Sequence, residues 1–223
     1  MPGEMQYALE QLLSCVGKVS HKTLRFPKGD DVAASGLRPE IDRVYRSLSG
    51  ALPSIPINLR HWDMEFEGIA VELDEYLHFN RYRGITLKSA SLAGLPRFPL
   101  RAYRRYCLDH EDMCLKNGSY GGKWSNRSCE TQFGKASAPG DLADNGSPRW
   151  KQRAFYDFVK DLSPLLIGVK VVRIAVWDEL LHEERTKTVR DTLDALIRRP
   201  APAASREASS TALAALIKER AAD

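Results

Sequence analysis

The chain has no run of apolar residues approaching the roughly 20 needed to cross a bilayer, and its opening Met-Pro-Gly-Glu-Met-Gln lacks the basic and apolar regions of a secretory leader. These absences set the expectation of a cytoplasmic protein with no membrane partner. Cysteine is scarce, with four residues in 223. In a chain of this length that number excludes a disulfide scaffold as the basis of folding and fits a reducing compartment. No internal repeat is visible. A strong excess of charge of one sign is also missing, since the net charge is +4, so total charge by itself does not argue for nucleic acid. The most informative absence is local: residues 63–75 contain no Lys or Arg.

What that segment does contain is six carboxylates arranged in alternation with apolar residues. Met64, Phe66, Ile69, Val71 and Leu73 line one face of a strand pair, and Asp63, Glu65, Glu72 and Asp74 line the other, the period of a half-buried hairpin. Glu67-Gly68 is a plausible two-residue turn because Gly tolerates positive φ. That turn pairs Phe66 with Ile69, Met64 with Val71, and Asp63 with Glu72. Like charges directly opposite each other on a sheet are destabilising, with Cβ atoms about 5 Å apart. A divalent cation held by oxygen ligands would relieve the clash; a solvated acidic face is the alternative. Shortly downstream, residues 88–106 hold Lys88, Arg97, Arg101, Arg104 and Arg105 with no acid, interleaved with Phe98, Tyr103 and Tyr106. A basic, aromatic strip beside an acidic centre suits a phosphodiester substrate, or else forms a solvated face.

Helix signals cover Tyr7 to Val16 and Arg38 to Leu48, the second opened by Pro39 and closed by Gly50 and Pro53. Ile55 to Leu59 reads as a short strand and His78 to Leu87 as a helix. Residues 89–149 change to Gly- and Ser-rich pieces and read as a partly irregular insertion. Order returns from Arg149 to Leu162, with Phe155, Phe158, Val159 and Leu162 on one helical stripe. Val169 to Trp177 reads as a strand buried on both faces, and Val189, Leu193, Leu196 and Ile197 as an amphipathic helix. The stretch beginning Pro200-Ala-Pro-Ala-Ala-Ser has linker composition. The organisation expected is an α/β domain over 1–199, with the insertion at about 89–149, then a flexible linker and tail over 200–223.

Asp63, the Glu72-Leu-Asp74 triplet, His78, the helix around Gln152 and Val171-Val-Arg-Ile-Ala-Val-Trp177 together resemble the PD-(D/E)xK nuclease superfamily. The likeness is closest to the very-short-patch repair endonuclease branch and its uncharacterised relatives. It covers roughly residues 38–87 and 149–180. The resemblance implies a restriction-endonuclease-like α/β core, a small mixed sheet flanked by helices. It also implies cleavage of DNA phosphodiesters with Mg²⁺ or Mn²⁺, by endonuclease or exonuclease action, in bacterial defence or DNA repair. Asp63 and Glu72 would be the metal ligands, with the carbonyl of Leu73 nearby. Asp74 stands where many members carry a lysine that positions or activates the attacking water. Asp74 could be a third ligand or a base acting through water, Lys151 could supply the missing positive charge, and Glu40 could add a carboxylate.

His78 is a candidate general base or phosphate ligand, or a residue hydrogen-bonded within the next helix. Arg81 and Arg83 are candidates for steering phosphate. Gln152 and Tyr156 resemble the Gln-x-x-x-Tyr element of RecB-type nucleases and share a helical face with each other; Arg153 lies beside them, and Tyr156 as a core-edge residue is the plainer reading. Cys107, His110, Cys114 and Cys129 have the ligand types of a structural zinc site, though not the spacing of a zinc finger, with buried free cysteines as the alternative. Two functions follow: a metal-dependent nuclease, or a nuclease-derived module that binds DNA or a protein without catalysis.

Overall fold

A computed structural model describes residues 3–182, 185–198 and 202–222. In chain order the elements are α1 (Glu4–Leu13), β1 (Val19–Ser20), α2 (Gly29–Ala34), α3 (Arg38–Ser47), β2 (Met64–Phe66), β3 (Ile69–Asp74) and a 3-10 turn (Tyr76–His78). There follow α4 (Arg81–Thr86), α5 (Ala90–Ala93), α6 (Leu100–Asp109), α7 (Glu111–Gly118), α8 (Gly121–Trp124) and α9 (Arg127–Phe133). The chain continues through α10 (Pro148–Asp161), α11 (Ser163–Ile167), β4 (Val171–Ala175), β5 (Glu179–His182), β6 (Arg185–Thr188), α12 (Val189–Arg198) and α13 (Ala203–Ala221). This is a mixed α/β protein. No helix among the described residues is long and apolar enough to cross a membrane.

The larger sheet runs β1-β2-β3-β4. Its first three strands are antiparallel, and β4 joins β3 in parallel after the chain has crossed over through α10. The hairpin has the register its alternation dictates, with Met64 opposite Val71 and Phe66 opposite Ile69. Both turn residues take positive φ, 49° at Glu67 and 78° at Gly68, the mirror-image turn whose twist suits a hairpin. Glu67 tolerates this because its backbone N–H donates to the Lys18 carbonyl at 3.1 Å and its carboxylate accepts from the Lys18 N–H.

The hairpin is not half-buried as its alternation suggests. Glu65, Glu72 and Asp74 are as inaccessible as Met64 and Val71. Register places Glu72 beside Arg173 and Asp74 beside Ala175, so the acidic face continues across β4, and side chains of α10 close over it. The opposite face buries Phe66, Val71, Leu73, Val172 and Ile174 in one core with Leu9 and Leu12 of α1.

Four segments differ from expectation. Ile55 to Leu59 forms no strand. His78 to Leu87 is not one helix: a 3-10 turn ends at His78, and Asn80 restarts the chain as N-cap of α4, its side chain accepting from the Tyr82 and Arg83 N–H groups. Residues 89–149 are mostly helical, α5 to α9, and send Leu92, Tyr103, Cys107, Cys114, Trp124 and Phe133 into the common core; the longest irregular stretch is about 134–147. They contribute to the same core as the sheet and α10. The tail is also packed. Within α13, Ser210, Leu213, Ala214 and Ile217 form a buried stripe, and Arg220 pairs with Asp178 at 2.6 Å. Small Ser and Ala residues make up much of α13, which is why its composition reads as linker. Residues 200 and 201 of that expected linker lie outside the described residues.

Candidate active site

Asp63 immediately precedes β2 and meets Glu72 of β3 across the hairpin. Its N–H lies 3.3 Å from Glu72 Oε1, and its own Oδ2 accepts the Leu73 N–H at 2.9 Å. Glu72 is almost fully buried, and burial pushes its carboxyl up to about 7, with the Asp63 charge adding to the rise and Lys160 opposing it. Burial likewise raises the Asp63 carboxyl, against the Leu73 N–H and Lys160, which lower it.

The positive charge at this pair comes from Lys160, near the C-terminal end of α10. Its Nζ donates to Glu72 Oε1 at 2.5 Å and to the His61 carbonyl at 3.1 Å, and it stands 5.2 Å from the centroid of the Trp62 ring. Lys151 does not fill this role. It lies nine residues earlier on the same helix, ~14 Å along the axis. There its Nζ donates to Asn145 Oδ1 at 2.6 Å.

Asp74 is not an open position beside the Asp63–Glu72 pair. Its Oδ1 accepts from Arg173 at 2.7 Å, its Oδ2 from the Tyr103 hydroxyl at 2.8 Å, and His78 Nδ1 lies 3.1 Å away. Arg173 is the hub of a buried network. Besides Asp74 it reaches Asp161 at 2.5 Å and Asp157 at 3.3 Å, and Asp161 also accepts from Arg83 at 2.7 Å. Arg83 is therefore a core ion-pair partner and does not meet phosphate. Arg81 is exposed and pairs with Glu111 at 2.8 Å. Glu40 is spent on Ser89 and Ser91, away from the site.

His78 Nδ1 sits 2.8 Å from Asp157. Burial alone would lower its pKa, but the Asp157 and Asp74 carboxylates outweigh that and raise it. In return His78 and Arg173 overcome the burial of Asp157 and hold its carboxyl well below the usual range. A histidine raised in the folded state contributes stability that is complete below its unfolded pKa of about 6.5 and is lost as pH rises through its folded pKa. The urea-unfolding advantage of wild type over His78→Gln is therefore expected to be larger at pH 6 than at pH 9. An equal advantage at both would mean the imidazolium pair contributes nothing.

Asp63, Glu72 and Asp74 do not converge as three ligands. Among the described residues the one group of three or more His, Cys, Asp or Glu whose ligand atoms lie within 4.8 Å of one another is Asp74, His78 and Asp157. Carboxylate and imidazole donors suit a divalent cation, but Arg173 already occupies the carboxylates of this group. The zinc constellation is not assembled: no three of Cys107, His110, Cys114 and Cys129 come together. Cys129 exchanges hydrogen bonds with Asn126 at the start of α9. His110 stacks on Trp177 with centroids 3.8 Å apart. Burial pushes the thiols of Cys107 and Cys114 up to about 12, as for packed neutral thiols.

Beside Lys160 opens a cavity of about 470 Å³ lined by Arg60, Arg149, Gln152, Arg153, Tyr156 and, at the site end, Asp157. Gln152, Arg153 and Tyr156 thus share one surface, as their spacing on a helix predicts. Gln152 accepts from Arg149 at 2.5 Å, and Tyr156 hydrogen-bonds Gln132. Lys160, Asp157, Asp161, Arg173 and Tyr103 are the site residues that sequence reasoning missed. A signal for the first was present: 152, 156 and 160 step by four along one face of α10.

The fold and site define a mixed α/β protein with a buried acidic centre neutralised by Lys and Arg and opening onto a basic cavity. The chain belongs to a family described as Family of unknown function (DUF7255), whose profile matches residues 43–195. No curated protein and no solved structure matches it. The matched span holds every residue of the centre from Asp63 to Arg173.

Proposed function

We propose that the protein is a metal-dependent nuclease of the PD-(D/E)xK type that hydrolyses DNA phosphodiesters. The observation that carries this reading is the meeting of Lys160 with Glu72, next to Asp63, at the mouth of a cavity lined by three arginines. The triplet Glu72-Leu-Asp74 lacks the lysine usual in such sites, and Lys160 brings an ammonium to the same carboxylate from α10. The sheet supports the reading too: three antiparallel strands, the helices α4 to α11, then a fourth strand parallel to the third.

The donor set fits Mg²⁺ or Mn²⁺, since Asp63 and Glu72 offer hard carboxylate oxygens. A divalent ion bound by them would polarise the scissile phosphate and lower the pKa of a water. The chain's own residues do the rest. Lys160 holds Glu72 towards its ionised form and places a donor beside the reacting phosphate. Arg149 and Arg153 hold the phosphate backbone, and Asp157 orients His78 as a proton carrier. Asp63→Ala and Glu72→Ala are each expected to abolish Mg²⁺- or Mn²⁺-dependent cutting of DNA by purified protein, and cutting that survives either change overturns the proposal.

One observation favours a second reading, DNA binding without catalysis. Glu72, Asp74, Asp157 and Asp161 each have a cationic partner within the protein, so the centre is neutralised without a metal. Salt-dependent DNA binding with no cleavage in any divalent ion, unchanged by Asp63→Ala, would select that reading.

A further inference from the structure

The cavity beside Lys160 has a composition that the hydrolytic site alone does not require. Arg60, Arg149 and Arg153 face it, with Lys160 already paired to Glu72, against a single acid, Asp157, whose carboxylate is already committed to His78 and Arg173. The cavity therefore selects an anion. Two recesses elsewhere do not: one of about 860 Å³ beside Trp177 balances Arg101 and Arg105 with Asp109 and Glu179, and one of about 410 Å³ between α1 and α12 is mainly apolar.

The donors are ready for a ligand. Arg60 is exposed and makes no ion pair or hydrogen bond among the described residues. Arg149 is steadied by Gln152. Arg153 donates one N–H to the Leu77 carbonyl at 3.2 Å, which leaves other guanidinium donors free. Tyr156 adds an aromatic ring whose hydroxyl is tied to Gln132, so the ring has a defined orientation, and Asn58 and Ser128 add uncharged polar groups at the rim. The volume falls in the ~300–1,000 Å³ range of small-molecule sites. A recess of that size closes around one nucleotide, and a base enters such a recess only when it has left its stack and its partner.

We propose that this cavity holds one unpaired nucleotide, with its phosphate on Arg60, Arg149 and Arg153 and its base against Tyr156. Resting on the nuclease reading, the inference assigns the protein single-stranded or locally opened DNA as substrate, threaded along the face of α10 that ends at Lys160. Arginine forks and an aromatic ring on one helix face are what sequence-tolerant single-strand binding needs.

The test is calorimetric titration of the full chain with deoxyadenosine 5′-monophosphate in EDTA, so that neither metal nor cleavage enters the readout. The mononucleotide is expected to bind, and deoxyadenosine without phosphate to bind at least about tenfold more weakly. Arg60→Ala and Arg149→Ala should each weaken binding by about tenfold, the scale of a lost charge-assisted hydrogen bond. Arg60→Ala, at an exposed position, should leave the melting temperature unchanged. A short single-stranded oligonucleotide should displace the mononucleotide, and the duplex of the same sequence should not. Absence of binding, equal binding of nucleotide and nucleoside, wild-type affinity in both arginine variants, or equal competition by duplex overturns the proposal. A protein that binds the mononucleotide yet never cuts DNA sinks the nuclease reading alone. One that cuts DNA yet ignores the mononucleotide sinks this one alone.

Discussion

Lys160→Met is expected to lower metal-dependent DNA cleavage by about 10²- to 10³-fold, the loss that accompanies removal of one preorganised electrostatic group from a catalytic centre. The substitution removes the ammonium 2.5 Å from Glu72 while keeping most of the apolar stem. It also acts through Glu72. Lys160 is the largest influence holding the Glu72 carboxyl down against burial, so its removal is expected to raise that carboxyl further. Because an ion binds the carboxylate and not the acid, residual activity in the variant should have its pH profile displaced to higher pH. Lys151→Met is the matched control on the same helix, with cleavage close to wild type, because Lys151 serves Asn145. Steady-state cleavage across pH 6 to 9 decides the matter. If Lys151→Met is the damaging change and Lys160→Met is not, the site has been assembled wrongly.

Arg173→Met should destabilise the fold by about 3–5 kcal/mol, the usual cost of breaking a buried ion pair by removing one partner. The arginine is almost inaccessible, and its departure leaves Asp74, Asp157 and Asp161 with less compensation inside the core. Arg173→Lys should recover only part of the loss. The guanidinium reaches Asp161 through Nε, Asp74 through Nη1 and the Asp157 carbonyl through Nη2, and one ammonium cannot span that fork. By contrast Arg81→Met removes a half-exposed pair with Glu111 and should cost ~1 kcal/mol or less. Urea unfolding of the three variants ranks them. A small effect at Arg173 would show that the network is not what holds α10 over the sheet.

The same network explains which parts of the centre could be foreseen. Alternation in residues 63–75 dictates that Asp63 and Glu72 share a face and, with a two-residue turn, that they sit opposite each other; the structure has that register. It does not say what covers the face. An acidic strand face is as compatible with water as with a metal or a layer of basic side chains, and the third case is observed. Arg173, in an otherwise apolar strand, and the Asp157–Asp161 step on α10 were visible but ambiguous, because charged residues at helical spacing usually line solvent. Arg83 shows the same ambiguity from the other side: two residues from Arg81 and of the same type, it is buried on Asp161 while Arg81 stays exposed.

By itself, the sequence determined what repeats within a single element: the hairpin register, the turn at Glu67-Gly68, a buried strand within Val169 to Trp177, the apolar stripe of α10 and the shared face of Gln152 and Tyr156. Each follows from a period of two or 3.6 residues. Tertiary structure alone decided that Lys160 and not Lys151 meets Glu72, that no three of the Cys and His residues of 107–129 come together, and that α13 packs into the core. Those outcomes depend on how one element rotates and slides against another. Glu72 and Lys160 are 88 residues apart, and no local period links them. Their meeting is set by the burial of Phe155, Phe158 and Val159 on the same helix, which turns the Lys160 face of α10 onto the sheet.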